Sequence, residues 1–145
     1  MFYVNVEGAV YKEDKWLVVG RSAKEEHAGG LLSLVGGKVE DEGQSTKILE
    51  RTLHRELFEE VGVKVKEGMD YVRSTSFTIA DGSPVVDIVF MCEFDEGEPF
   101  AKSVDEVDAV YWMTAGEIAA HPEAPIWLID SIKEAEALRK LRVAR

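Results

Sequence analysis

Glu56, Glu59 and Glu60 carry the clearest chemical signal in this sequence. At spacings i, i+3 and i+4 in a run with helical periodicity, they fall on one face of a helix. Carboxylates this close repel one another, and nothing in the helix itself offsets that cost. A hard divalent cation with oxygen ligands would offset it. The plainer reading is a solvated acidic face, and on the carboxylates alone it is favoured, because adjacent glutamates are common on surface helices. A structural Ca²⁺ site is a third reading; it explains the carboxylates but not the glycines that precede them.

The helix that would carry them spans about Ser45 to Val61. Leu49, Leu53, Leu57 and Val61 recur every four residues, with Ile48 and Phe58 widening the stripe. Ser45 or Thr46 is placed to cap its start and Gly62 to end it. Upstream, residues 3–11 and 15–21 are β-branched and aromatic runs that read as a hairpin or near neighbours. A polar loop over 22–30 and a short apolar run, Leu31 to Val35, lead to Gly36-Gly37. Downstream, residues 63–66, 71–79, 84–94 and 107–113 read as strands, with Asp81-Gly82 as a turn. A short helix near 114–120 and a longer one from about Pro125 to Arg142 close the chain, the latter lined by Leu128, Ile132, Ala135 and Leu138. This order predicts an α/β (α+β) fold, a mixed β-sheet flanked by helices on both faces. At 145 residues, with no internal repeat or linker, one domain over 1–145 is expected.

The net charge of -11 argues against a broad basic surface for extended nucleic acid. It is compatible with a small phosphate-bearing ligand if bound cations invert the charge locally. No apolar run is long enough to span a membrane, and the opening MFYVNVEGAV lacks the marks of a secretory leader. The single Cys92 lies in an apolar run, so it reads as a packing residue in a reduced, cytoplasmic setting.

Context changes the weight of the carboxylates. Arg55-Glu56-Leu57-Phe58-Glu59-Glu60-Val61-Gly62-Val63 resembles the REUxEExGU half of the Nudix box at every specified position, where U is a bulky aliphatic residue. Gly36-Gly37-Lys38-Val39-Glu40 resembles the start of the same box. The likeness extends over roughly residues 3–120, with strands before the glycines and a tryptophan-bearing strand after the helix. Two departures stand out. Seventeen residues separate Gly37 from Arg55, four more than the family pattern, so the early box glutamate has no direct counterpart. Lys47 or Gly43 falls at its place, depending on the end counted from, and Glu40 or Glu42 is the candidate to replace its ion pair with the box arginine. Val35 stands where many members have proline.

The resemblance implies a Nudix-like α/β/α sandwich and a hydrolase that cleaves a diphosphate linkage with Mg²⁺, or Mn²⁺ in its place. It places the metal on Glu56, Glu59, Glu60 and the Gly36 carbonyl, with Arg55 orienting the carboxylates. Family members take their general base from the box helix or from a later loop. Glu106, with Asp105 beside it, is the loop candidate; the alternative is that SVDEVD is merely solvated. Arg21 and Lys38 are candidates for substrate phosphate, each against an ordinary surface role. His27 reads as an unremarkable residue of a polar loop rather than a catalytic one, and His54 and His121 as structural; Trp16, Trp112 and Trp127 read as core, the alternative being to stack a base. The expected partner is a small phosphate-containing substrate, a nucleoside diphosphate derivative or triphosphate, with both triphosphate and ADP-ribose-type cleavage open. Homodimers are frequent in the resembling family. The rival from another class is a non-catalytic Nudix-fold nucleotide sensor, against which the three retained box glutamates weigh.

Overall fold

Alternation along β1 (Tyr3–Lys12) divides the molecule into two cores. The computed structural model describes residues 1–144. Val6 and Val10 are fully buried on one side of this strand, Ala9 and Tyr11 on the other. A strand covered on both faces belongs in the middle of a sheet. β1 pairs in parallel with β7 (Pro84–Glu96), from Tyr3 opposite Val85 to Tyr11 opposite Glu93. It pairs antiparallel with β2 (Lys15–Arg21) across the tight turn at Glu13 and Asp14, and with β4 (Val35–Lys38). β2 in turn carries β3 (Leu32–Ser33) and β8 (Val107–Thr114). β7 carries β5 (Lys64–Val65) and β6 (Asp70–Thr78), both antiparallel. One parallel pairing among antiparallel ones makes the sheet mixed, as the element order predicts.

Helices cover both faces. On one, Leu53, Leu57 and Val61 of α1 (Ile48–Val61) pack on Val6, Val10, Leu17, Val19, Val35, Phe90 and Cys92. On the other, Leu128, Ile132 and Ala135 of α3 (Ile126–Val143) and Ile118 of α2 (Ala115–Ala120) pack on Ala9, Trp16, Val18, Val89 and Met91. Each fully buried aliphatic side chain stabilises the fold by about 1.5–3 kcal/mol relative to an exposed one. Thr114 and Glu117 form a reciprocal capping box that starts α2. Cys92 lies 1% exposed in the α1-side core, and burial pushes its thiol well above the ordinary range, as suits a packing residue. Among the described residues, no helix is long and apolar enough to cross a membrane.

Three local expectations are corrected. The box helix begins at Ile48, and neither Ser45 nor Thr46 caps it; Lys47 precedes it in a left-handed conformation, φ 54°. Arg51 reaches back to the Thr46 carbonyl and to Glu42, which ties the preceding loop to the first turn. The four extra residues therefore lengthen the loop, not the helix. Phe58 flanks the apolar stripe and stays 46% exposed, its ring under the Lys102 ammonium at 3.8 Å. Trp16 is core and Trp112 half-buried against Phe94, but Trp127 is 49% exposed. The expected end at Gly62 is present, with φ 73° and its N–H donated to the Phe58 carbonyl.

Leu53 bears on β1 directly, so Leu53→Ala should lower unfolding free energy by about 2–5 kcal/mol in urea titration. Leu49→Ala, on a half-buried side chain, should cost clearly less. Equal losses at the two positions would contradict the placement of the α1 stripe.

Candidate active site

Gly36 sets how closely β4 lies on β1, and Gly37 leaves the room that the Glu56 carboxyl of α1 occupies over β4. A Cβ on Gly36 would lie 2.1 Å from the Val6 carbonyl oxygen, and one on Gly37 would lie 2.4 Å from the Glu56 carboxyl carbon. Real contacts of that length do not occur, so only glycine at these positions lets β4 lie on β1 and the Glu56 carboxyl lie on β4. One turn along the helix, Glu60 is 9% exposed, and its Oε2 has no hydrogen-bond partner. Glu59 is more than half exposed. Arg55 Nη1 lies 3.3 Å from Glu56 Oε1 and 3.5 Å from Glu59 Oε2, bridging the two. Glu42 pairs with Arg51, so the proposed replacement for the missing box glutamate does not contact Arg55.

Burial, first, then the hydrogen bond to Glu56 and the charges of Glu56 and Glu106 push the Glu60 carboxyl up to about 9. Burial also raises Glu56, although its hydrogen bond with Glu60 and the Arg55 charge work the other way. The pair therefore holds a proton, with the Glu60 hydroxyl donating to the Glu56 carboxylate.

Glu106 reaches this pair because the chain after β7 is tied to the end of α1. Phe100 N–H donates to the Val61 carbonyl at 3.1 Å and Lys102 N–H to the Glu60 carbonyl at 3.0 Å. Ser103 Oγ donates to Glu106 Oε2 at 3.1 Å, and Ser22 N–H donates to the Glu106 carbonyl at 2.9 Å. Asp105 turns to Lys24, 3.9 Å away at the surface. Arg21, at the end of β2, donates to the His27 carbonyl at 3.0 Å and lies 3.5 Å from Glu25. Its charge works to lower both Glu60 and Glu7. Lys38 is exposed at the end of β4, 5.0 Å from the Tyr3 ring centroid.

Arg21 also lines a cavity of about 400 Å³, which the sequence reading did not locate. Asn5 and Glu7 of β1 and Asp87 of β7 line it as well, and Asn5 is directly opposite Asp87 in the ladder. Asn5 Nδ2 donates to Asp87 Oδ1 at 2.8 Å. Burial above all, then a hydrogen bond to Asp87 and the Asp87 charge, raise the Glu7 carboxyl well above the carboxylate range. His27 and Phe77 stack at 5.3 Å with 4° between planes, and both line the cavity together with Trp127. The available signal was a charge inside each apolar strand run, Glu7 in YVNVEGAV and Asp87 in PVVDIVF. His54 and His121 keep structural roles, His54 beside Glu67 and His121 Nδ1 accepting from the Glu123 N–H.

Among the described residues, no three acidic, histidine or cysteine side chains stand closed around a cation position. The donor set nevertheless fits a hard divalent ion: oxygen ligands only, one of them a buried carboxyl oxygen without a partner, in a pair whose joint ionisation is opposed by repulsion.

The family model described as the NUDIX domain matches residues 1–134. A comparison with curated proteins finds no match. Among solved structures, the MutT protein from Methanosarcina mazei Go1 is similar, at 21% identity over 96% of this chain and 96% of that one, with a TM-score of 0.79. The Escherichia coli ORF135 protein is 28% identical over 99% of this chain and 93% of its own, with a TM-score of 0.70. The NUDIX domain of Shewanella oneidensis NrtR, complexed with ADP ribose, is 20% identical over 97% of this chain and 89% of its own, with a TM-score of 0.72.

A raised carboxyl keeps its proton in the folded chain after the unfolded chain has lost it. Stability tied to Glu60 is thus fully present below its ordinary value of 4.5 and is lost as pH rises toward about 9. In chelator, the unfolding free energy of the wild type should fall relative to that of Glu60→Gln across this window, as read by urea titration at stepped pH. A difference that stays flat would contradict the assignment.

Proposed function

This chain belongs to the NUDIX family, and we propose that it hydrolyses a diphosphate linkage in a nucleoside diphosphate derivative or a nucleoside triphosphate. The observation that carries this reading is the Glu56 carboxyl set against the glycine pair of β4, with the neighbouring Glu60 buried and one of its carboxyl oxygens left unpartnered. NUDIX hydrolases generally use divalent metal ions. In this chain Glu56, Glu60, Glu59 and the Gly36 carbonyl would hold Mg²⁺, or Mn²⁺ in its place. When bound, such an ion neutralises diphosphate charge and lowers the pKa of a nearby water.

The remaining work falls to the protein's own groups. Arg55 fixes the orientation of Glu56 and Glu59. Arg21, which lines the cavity, and Lys38, exposed at the end of β4, are the cations proposed to contact substrate phosphate. Glu106 takes a proton from the attacking water as its oxygen bonds to phosphorus, and the bridging P–O bond breaks to release a phosphate-containing product. Ser103 holds the Glu106 carboxylate for that transfer. Three retained glutamates favour this enzyme reading over a non-catalytic nucleotide-binding one.

The test is a panel of nucleoside triphosphates, nucleotide sugars, dinucleotides and ADP-ribose, with Mg²⁺, with Mn²⁺ and with chelator. The expected result is turnover of at least one compound that chelator abolishes. Glu59→Gln and Glu60→Gln should lose this turnover, and Glu106→Gln should lower kcat by about 10²–10⁴-fold. No divalent-dependent turnover across the panel would instead favour the nucleotide-binding reading. Glutamine variants as active as the wild type would overturn the metal assignment.

A further inference from the structure

The polar capacity of the cavity is unevenly distributed. Its arginines are partly engaged: Arg73 Nη1 donates to Ser131 Oγ at 3.3 Å and its Nε lies 2.9 Å from Glu134, while Arg21 donates its Nε–H to the His27 carbonyl and lies 3.5 Å from Glu25, with guanidinium N–H groups to spare. The floor, by contrast, is acidic. Asp87 is 6% exposed inside β7, where a carboxylate is costly without partners, and its protein partners Asn5 and Glu7 both lie on β1. A carboxylate has about four acceptor positions, and its contacts with Asn5 and Glu7 do not use them all. The Asn5 amide has two N–H groups, of which Asp87 takes one. The floor thus offers an acceptor beside a donor.

The walls are flat. The stacked Phe77–His27 pair and Trp127, its indole half in solvent, line the cavity. About 400 Å³ lies within the usual range for small-molecule sites. Flat apolar walls over a paired donor and acceptor suit a planar heterocycle presenting one hydrogen-bonding edge.

We infer that Asp87 and Asn5, backed by Glu7, select a ring whose edge carries an exocyclic amino group beside an unprotonated ring nitrogen, the edge of a cytosine or an adenine. The amino group donates to Asp87, and the ring nitrogen accepts the second Asn5 N–H. A carbonyl in place of the amino group sets oxygen lone pairs against the Asp87 carboxylate, so uracil- and hypoxanthine-type rings are rejected. A site built to accept a particular N–H discriminates more strongly than one that reads shape alone. The inference rests on the proposed hydrolase reading in one respect, that the diphosphate lies at Glu56 and Glu60 while the group beyond it enters past Arg21.

Two matched pairs test this, since each differs at the one group in question. Binding of CMP against UMP and of AMP against IMP is measured by calorimetry without divalent ion. Hydrolysis of CTP against UTP and of ATP against ITP is measured with Mg²⁺. The amino-bearing member of at least one pair should bind, and be turned over by kcat/KM, about 5- to 150-fold better. Asp87→Asn should bring that ratio close to one, with folding checked by thermal unfolding. Asn5→Ala serves the same purpose if Asp87→Asn does not fold. Divalent-dependent turnover with equal ratios in both pairs would overturn this inference and leave the hydrolase reading standing. An amino preference in binding, with no turnover of these triphosphates or of any compound in the wider panel, would support the cavity assignment while removing the hydrolase reading. An amino preference unchanged in folded Asp87→Asn or Asn5→Ala would overturn the assignment to this floor.

Discussion

The Glu56 and Glu60 carboxyls are held against each other, and that of Glu56 against Gly37, by the packing of α1 on the sheet. In water these groups would separate and ionise independently. Here Leu53, Leu57 and Val61 anchor the helix, Gly37 leaves room for the Glu56 carboxyl, and Glu60 is left nearly without solvent. The fold thereby sustains a local arrangement that opposes full ionisation at neutral pH. Such a pair is a site waiting for positive charge, and the same constraint makes the rest of the structure intelligible. Both glycines, the Arg55 bridge and the tether from Phe100 to Glu106 bring groups to this one place.

Two acidic centres lie on opposite sides of the sheet and share one cation. Glu56 and Glu60 belong to the helix on one face, whereas Asp87 and Glu7 line the cavity on the α3 side. Glu7 is opposite Gly36 in the β1–β4 ladder, so the glycine loop and the cavity floor meet at neighbouring backbone positions. Arg21 acts on both acidic groups. An elongated ligand with phosphates at one end and a ring at the other matches that layout. The loop from Ser22 to Gly30, which a sequence reading leaves as polar filler, joins the two ends through Arg21 and His27.

Much of this was legible from side-chain patterning. The positions of β1, β2 and β5 to β8, the mixed sheet, the helix stripe and its Gly62 stop follow from local periodicity and from glycine's access to positive φ, whereas the short β3 and the glycine-bearing β4 do not, since neither carries a strand pattern of its own. The carboxylate cluster followed from helical spacing once the glycine pair gave it context. The start of α1 was not legible, because Ser45 and Thr46 have capping chemistry but the chain bypasses them through a left-handed Lys47 and the long-range hold of Arg51 on Glu42. The cavity was hidden for a different reason. Its floor comes from β1 and β7, more than 80 residues apart, and its opening includes Trp127, whose apolar neighbours disguised an exposed position. Parallel register between distant strands is not written in either strand alone. A single charge within each apolar run was the only mark, and such a mark gains meaning when the two are seen to be neighbours.

Mg²⁺ binding at pH 7, followed by calorimetry in buffers of different ionisation enthalpy, tests the carboxyl pair most directly. If Glu56 and Glu60 share a proton that a divalent ion displaces, about one proton per chain should be released on binding, and the Glu60→Gln chain should release none. Binding without proton release, or release that persists in the glutamine variant, would contradict the view that this pair is where the cation is received.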